Sequence, residues 1–242
     1  MSSIRRRVND RPPDLATAVY HRLRGSIVTL RLRPGAGLSE LDLCRRLRVS
    51  RTPVRAALLR LQQDGLVGTV KVGRTARAVV SPLTGDDMRE LFLMVGALDG
   101  VAARLAAQRD ERTRRRVVQE LTAVNTRLRR LSAGDDLRSI RRAQALDRRF
   151  HACYEAAGAG PRLLAKLKTL HARRERYVRV YTEALVHAHH VRESVSEHAG
   201  IIGALRAGDA NAAERLAAFN HRNALERYRR SVAALGEPRS RP

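Results

Sequence analysis

Asp147 and His151 stand four residues apart in a segment of helical period, so a carboxylate and an imidazole share one helix face. Ile140, Gln144 and Tyr154 continue the same stripe, which turns both polar groups toward the apolar side. His198 repeats the situation between Val195 and Ile202, and His221 does so among Ala217, Leu225 and Tyr228. Neutral imidazole and carboxylate are ligands for Zn²⁺ and for neighbours such as Ni²⁺ or Mn²⁺, and three His plus one Asp can leave coordination positions open. Inward polar residues also serve structural hydrogen bonds, and periodicity alone leaves both readings standing. His187, His189 and His190 follow no helical period and read as surface.

A second group suits different chemistry. In Val49-Ser50-Arg51-Thr52-Pro53-Val54-Arg55, Ser50 or Thr52 can cap a helix, and Pro53 is tolerated in its first turn. Arg51 and Arg55 then lie on one face at the helix start. Two guanidiniums beside hydroxyls at a helix N-terminus are shaped to meet phosphates and base edges.

The elements that must position these residues follow from pattern. Residues 1–13 read as a flexible arm. A helix capped by Asp14 runs to about Thr29, with Leu15, Val19, Leu23 and Ile27 on one stripe. Pro34-Gly35 and Gly37 form a turn; Ser39 caps a short helix through Leu47; a second helix runs from Arg51 to about Asp64 and ends at Gly65. Residues 66–72 and 75–80 are β-rich runs joined near Gly73-Arg74, a hairpin with a basic tip. Helix, helix-turn-helix and hairpin is the order of a winged helix-turn-helix. From Asp86 to about Leu235 every segment is helical by period, with breaks that give about six helices, which must bury one-sided stripes in a bundle. The expected architecture is mainly α: a winged helix-turn-helix at 14–81, a linker at 82–87, an all-α antiparallel bundle at 88–235 and a tail at 236–242.

Composition agrees and narrows the function classes. Aromatics are 3% of the 242 residues and Trp is absent, which favours helices over sheets. The net charge is +24, carried by 45 arginines and three lysines. Residues 1–84 hold 17 basic and five acidic groups, while the longer remainder holds 31 and 19. The excess is thus denser at the N-terminal end, as a footprint for phosphate backbone would be. Cys44 and Cys153 make no CxxC pair and read as reduced, structural thiols. The start lacks the apolar run of a signal peptide, and no stretch approaches a membrane span; a cytoplasmic protein without membrane contact is expected.

Residues 15–81 resemble the winged helix-turn-helix of GntR-type bacterial transcription regulators. The match rests on Arg33-Pro34-Gly35, Leu38-Ser39-Glu40, Val49 to Arg55, Ala57-Leu58 and Asp64-Gly65-Leu66-Val67. The chain from 86 on resembles the FCD effector domain of the FadR subfamily, through Asp147-x-x-Phe150-His151, Glu197-His198-x-x-Ile201 and His221. The resemblance implies a homodimeric regulator, a repressor before an activator, that reads a pseudo-palindromic operator in double-stranded DNA. It implies DNA contacts by Arg51 and Arg55, assisted by Ser50, Thr52 and the wing tip Gly73-Arg74. It also implies a divalent metal, Zn²⁺ ahead of Ni²⁺ or Mn²⁺, held by Asp147, His151, His198 and His221, and a small organic acid as effector.

Three positions depart from the family pattern. An Arg that often follows Glu-Leu-Phe-x-x, where it helps hold an effector carboxylate, is Val95 here; the Gly-Asn before Pro161 is Ala159-Gly160; and the wing is more basic than usual. No enzymatic activity is expected. The competing readings are a metal-dependent hydrolase fused to a DNA-binding head, and a non-specific basic nucleic-acid binder.

Overall fold

A computed structural model describes residues 14–73, 75–131, 136–181 and 189–235. The expected arm at 1–13, Arg74 at the wing tip, His187 and the tail at 236–242 lie outside the described residues. The chain divides into two compact units between Pro82 and Leu83.

In the first unit, the hydroxyl-and-carboxylate caps expected from sequence start two of the three helices. Asp14 accepts from the Thr17 amide to open α1 (Leu15–Val28), and Ser39 accepts from the Asp42 amide to open α2 (Glu40–Leu47). α3 (Arg51–Gln63) follows a left-handed Arg48, and Ser50 stands at its N-cap without a side-chain cap bond. Val19, Leu23, Ile27, Val54, Leu58 and Leu61 interdigitate in one core with Leu43, Leu66 and Val80. The hairpin is β2 (Val67–Val72) against β3 (Thr75–Val80), in the register Val67 to Val80 and Val72 to Thr75. The Gly37 region, expected as a turn, is instead a two-residue strand, β1 (Gly37–Leu38), which pairs antiparallel with β3. Pairing gives the backbone of Gly37 and Leu38 partners that a free turn would leave to water. The sheet order is β1-β3-β2.

The second unit is all α among its described residues. Its helices are α4 (Gly85–Ala107), α5 (Glu111–Leu131), α6 (Leu137–Gly158), α7 (Pro161–Tyr181), α8 (His189–Ala207) and α9 (Ala210–Leu235). α4 begins at Gly85, because Thr84 accepts from the Asp87 amide and caps it there. α4 packs along α9 and also against α6, α7 and α8, while α5 packs on α6 and α8. The main core joins Ala103, Ala106, Leu121, Phe150, Tyr154, Ile201 and Leu205; a second cluster joins Phe92, Val95, Leu170, Tyr177 and Leu225. The metal-ligating candidates lie on α6, α8 and α9, all packed around or beside α4.

Candidate metal centre and nucleic-acid interface

On α3 the apolar residues Pro53, Val54, Ala57, Leu58 and Leu61 face the core, which leaves Arg51, Thr52 and Arg55 exposed on the opposite face. Ser50 is exposed beside them with its hydroxyl uncommitted to a cap. Arg55 is not loose. Its Nε donates to Glu40 Oε2 at 2.8 Å, a bond that also raises the guanidinium's pKa. That bond uses the Nε edge and leaves the two terminal nitrogens as donors. On the wing, Gly73 holds φ at +61°, the left-handed conformation that suits glycine in a tight turn, with exposed Lys71 and Arg77 on the flanking strands. Glu40, the first residue of α2, entered the reading of the sequence only within the Leu38-Ser39-Glu40 match; its contact with Arg55 was not legible there.

In the second unit, His151, His198 and His221 are buried, each from a different helix. Around them, two groups of ligand atoms lie within 4.8 Å of one another, and both include His151: Asp147, His151 and His198 form one, and Asp99, His151 and His221 the other. The structure therefore brings together three of the four expected ligands, and sets His221 with a carboxylate that sequence reasoning had not singled out.

Asp99 is fully buried on α4. Its Oδ2 accepts from His151 Nδ1 at 2.8 Å, from His221 Nε2 at 2.6 Å and from the Tyr154 hydroxyl. A carboxylate only accepts, so the His151 proton sits on Nδ1 and Nε2 is the nitrogen left to a metal. His198 is prepared the same way. Its Nδ1 meets Asn125 Oδ1 at 3.3 Å, and its ring stacks on Phe150 with centroids 3.7 Å apart and planes 4° from parallel. Its Nε2 is buried without a hydrogen-bond partner, 3.5 Å from Asp147 Oδ1. A buried acceptor nitrogen facing a carboxylate and a second imidazole fits a divalent cation and fits poorly with a purely structural role. His221 has both nitrogens engaged, since Arg174 Nη1 donates to its Nδ1 at 2.9 Å.

The electrostatics follow from burial. Burial pushes His198 down to about 3 and His221 down to about 4, so both rings are neutral near pH 7, as metal ligands must be. Burial works against the charge of Asp99 too, but the facing His151 and the bonds from His151 and His221 outweigh it and hold the carboxyl well below the usual range. Burial likewise opposes charge on His151, and Asp99 overrides it, raising that imidazole. A similar balance lowers Asp147, where His151 and His198 outweigh burial.

The reason α9 comes close enough for His221 to reach Asp99 lies in α4. A Cβ at Gly100 would meet the Glu214 carbonyl oxygen at 2.9 Å, and one at Gly96 would meet His221 Cβ at 3.1 Å. The two glycines flank Asp99 and admit the backbone of α9. Asp99 lay on a legible inward stripe, Leu91, Val95, Asp99, Ala102 and Ala106, all buried.

Asp147 and His151 line a cavity of about 110 Å³, together with Arg174, Asn220, His221 and Tyr228. That is several times the ~10–15 Å³ one water requires, so a small molecule fits beside the ligand atoms. The side chains of His187, His189 and His190, expected at the surface, lie outside the described residues.

Comparison with known proteins agrees with both halves. Residues 15–76 match the family model described as bacterial regulatory proteins, gntR family, and residues 90–233 match the FCD domain. The chain is 32% identical over 143 residues to an uncharacterized HTH-type transcriptional regulator in the TAR-I ttuE-ttuC' intergenic region of Agrobacterium vitis, covering 59% of this chain and 80% of that one. It is 33% identical over 125 residues to the Nta operon transcriptional regulator of Aminobacter aminovorans, over 51% of this chain and 54% of that one. Among solved structures, E. coli McbR/YncC superposes with a TM-score of 0.65 at 21% identity, covering 90% of this chain and 99% of that one, which bears on the fold alone. Two family models laid end to end over two structural units leave one assignment: the chain belongs to the gntR family of bacterial regulatory proteins and carries an FCD domain.

Proposed function

We propose that this DNA-binding transcription regulator senses a small organic acid through a divalent metal held in its C-terminal cavity, and that it acts as a homodimeric repressor. The observation that carries the reading is the buried, unpartnered Nε2 of His198, facing Asp147 and His151 at the cavity. Asp147, His151 and His198 are the first ligands, with Zn²⁺ the best match to their donor set and Ni²⁺ or Mn²⁺ next. His221 would be the fourth ligand through Nε2, with the proton that this nitrogen now donates to Asp99 carried on Nδ1 instead. Bound there, the metal supplies a Lewis-acidic point with open positions for a ligand oxygen.

Arg51 and Arg55 read base edges or phosphates, with Ser50, Thr52, Gly73 and Arg74 fixing register on the backbone. Two α3 helices in successive major grooves, roughly 34 Å apart, call for a pseudo-palindromic operator. Support for a dimer comes from α4, where Leu93, Ala97, Val101 and Leu105 form an exposed row at four-residue spacing. The unit works as a sensor and not an enzyme: Glu175, the other carboxylate at the cavity, is paired with Arg148 and Arg179 and is no free base. Its place of action is the cytoplasm. Among the described residues no helix is long and apolar enough to cross a membrane.

The test is a metal-content measurement on purified protein, combined with a footprint before and after chelation. About one divalent ion per chain and a footprint confined to one symmetric site are expected. Protein that holds no metal in His198-intact form, or that protects every duplex equally, would sink the reading.

A further inference from the structure

We infer that Arg174 is the anion receptor of the cavity, the guanidinium that takes a carboxylate of the bound ligand. The argument begins with charge. Among the arginines of the cavity wall, Arg148 is paired with Glu175 at 3.1 Å and Arg227 with Glu197 at 2.8 Å. Arg174 is the exception. It is buried at 7% exposure, and among the described residues no carboxylate lies within ion-pair distance of it. Asp147 feels its field from farther off.

Its hydrogen-bond partner is the neutral His221 Nδ1, and its other contact is the face of Phe92, 5.9 Å from the ring centre. One bond to a neutral ring uses one of five N–H donors and none of the charge. Buried charges are costly unless paired, so a guanidinium kept in this state faces an anion that arrives. A planar carboxylate matches its fork with two parallel bonds.

The surroundings fit. Leu170, Arg174 and Tyr177 share one face of α7, and Leu170 and Tyr177 pack in one cluster with Phe92 and Val95. Val95 on α4 is fully buried in the same cluster, so the cation on this wall comes from α7. Arg174 is bonded to His221, whose ring centre is 4.7 Å from that of His151. The ligand class is therefore a small carboxylate with a second oxygen to offer the metal, such as a hydroxy acid or a short dicarboxylate. This second oxygen rests on the metal reading above; the role of Arg174 does not.

The experiment titrates acetate, succinate, malate and inorganic phosphate into the full-length protein by calorimetry, with zinc loaded and with zinc removed. Wild type, Arg174→Gln and Arg174→Lys are compared, and the zinc content of each is measured. Arg174→Gln is expected to weaken malate or succinate at least tenfold in both metal states while keeping its zinc, with Arg174→Lys recovering part of the loss. Unchanged affinity in Arg174→Gln overturns the proposal, as does wild type that binds none of the acids at millimolar concentration or prefers phosphate. If zinc makes no difference to any of the titrations but Arg174→Gln still weakens the acids, the metal reading fails and the role of Arg174 stands.

Discussion

The Nε2–H of His221 on α9 reaches Oδ2 of Asp99 on α4 at 2.6 Å, and the same oxygen receives Nδ1 of His151 on α6 at 2.8 Å. One buried carboxylate thus ties three helices at the point where the candidate metal ligands converge, and sets which nitrogen of His151 is free. Outer partners of this kind typically carry about 10–100-fold in metal affinity. Asp99→Asn is expected to weaken zinc binding by about that factor, whereas Asp147→Ala, which removes a ligand, abolishes it. Competition against a fluorescent zinc chelator measures both; equal affinity in Asp99→Asn and wild type would remove Asp99 from the site.

Acid should destabilise the metal-free protein. His198 and His221 are held at about 3 and about 4, below the ordinary 6.5. Between 6.5 and those values the unfolded chain binds protons that the folded chain refuses, so stability falls as pH falls through that window. His151 runs the other way: raised by Asp99, it favours the folded state at acid pH and loses that contribution as pH rises through its folded value. Two imidazoles oppose one, so the Tm of chelated protein is expected to be lower at about pH 5 than at about pH 7.5. A higher Tm at the acid end would mean that His198 and His221 are charged in the folded state.

Close approach of α9 to α4 depends on a missing side chain. Gly100→Ala places a Cβ 2.9 Å from the Glu214 carbonyl oxygen, a backbone atom that cannot rotate away. Overpacking of this kind costs about 1–3 kcal/mol, against about 1 kcal/mol returned by the helix propensity of Ala. Thermal unfolding should show a net loss of stability, together with weakened zinc binding as α9 moves off Asp99. A stabilised variant with intact zinc affinity would contradict the packing argument.

Arg55 and Glu40 form the corresponding pair in the DNA-reading unit. Arg55→Ala is expected to cost about 1–3 kcal/mol of specific binding if the guanidinium reads a base edge. Glu40→Gln keeps the side-chain shape and removes the charge, so it should relax discrimination among operator variants more than it lowers overall affinity. Anisotropy titrations on an operator and on a shuffled duplex separate the two effects. Equal loss on both duplexes in Arg55→Ala would assign that residue to phosphate alone.

Periodicity and capping chemistry made the helices legible before any fold was known. Asp14, Ser39 and Gly65 mark element ends through local hydrogen bonding and backbone freedom, and the inward placement of His151, His198 and His221 follows from a 3.6-residue period. Such signals are local, so a sequence carries them whole. What a helix face meets is a different matter. The pairing of Gly37 with Val79, the bond from Glu40 to Arg55 and the convergence of Asp99, His151 and His221 join residues far apart in the chain. Nothing in the sequence of α7 distinguished Arg174 among its neighbouring arginines; its place on the cavity wall and its bond to His221 did. The sequence by itself determined that His151, His198 and His221 point inward and that, with Asp147, they make a donor set able to take a divalent metal. Only the tertiary structure decided which of them meet, because close helix packing at Gly96 and Gly100 selects one set of neighbours from many that share the same period.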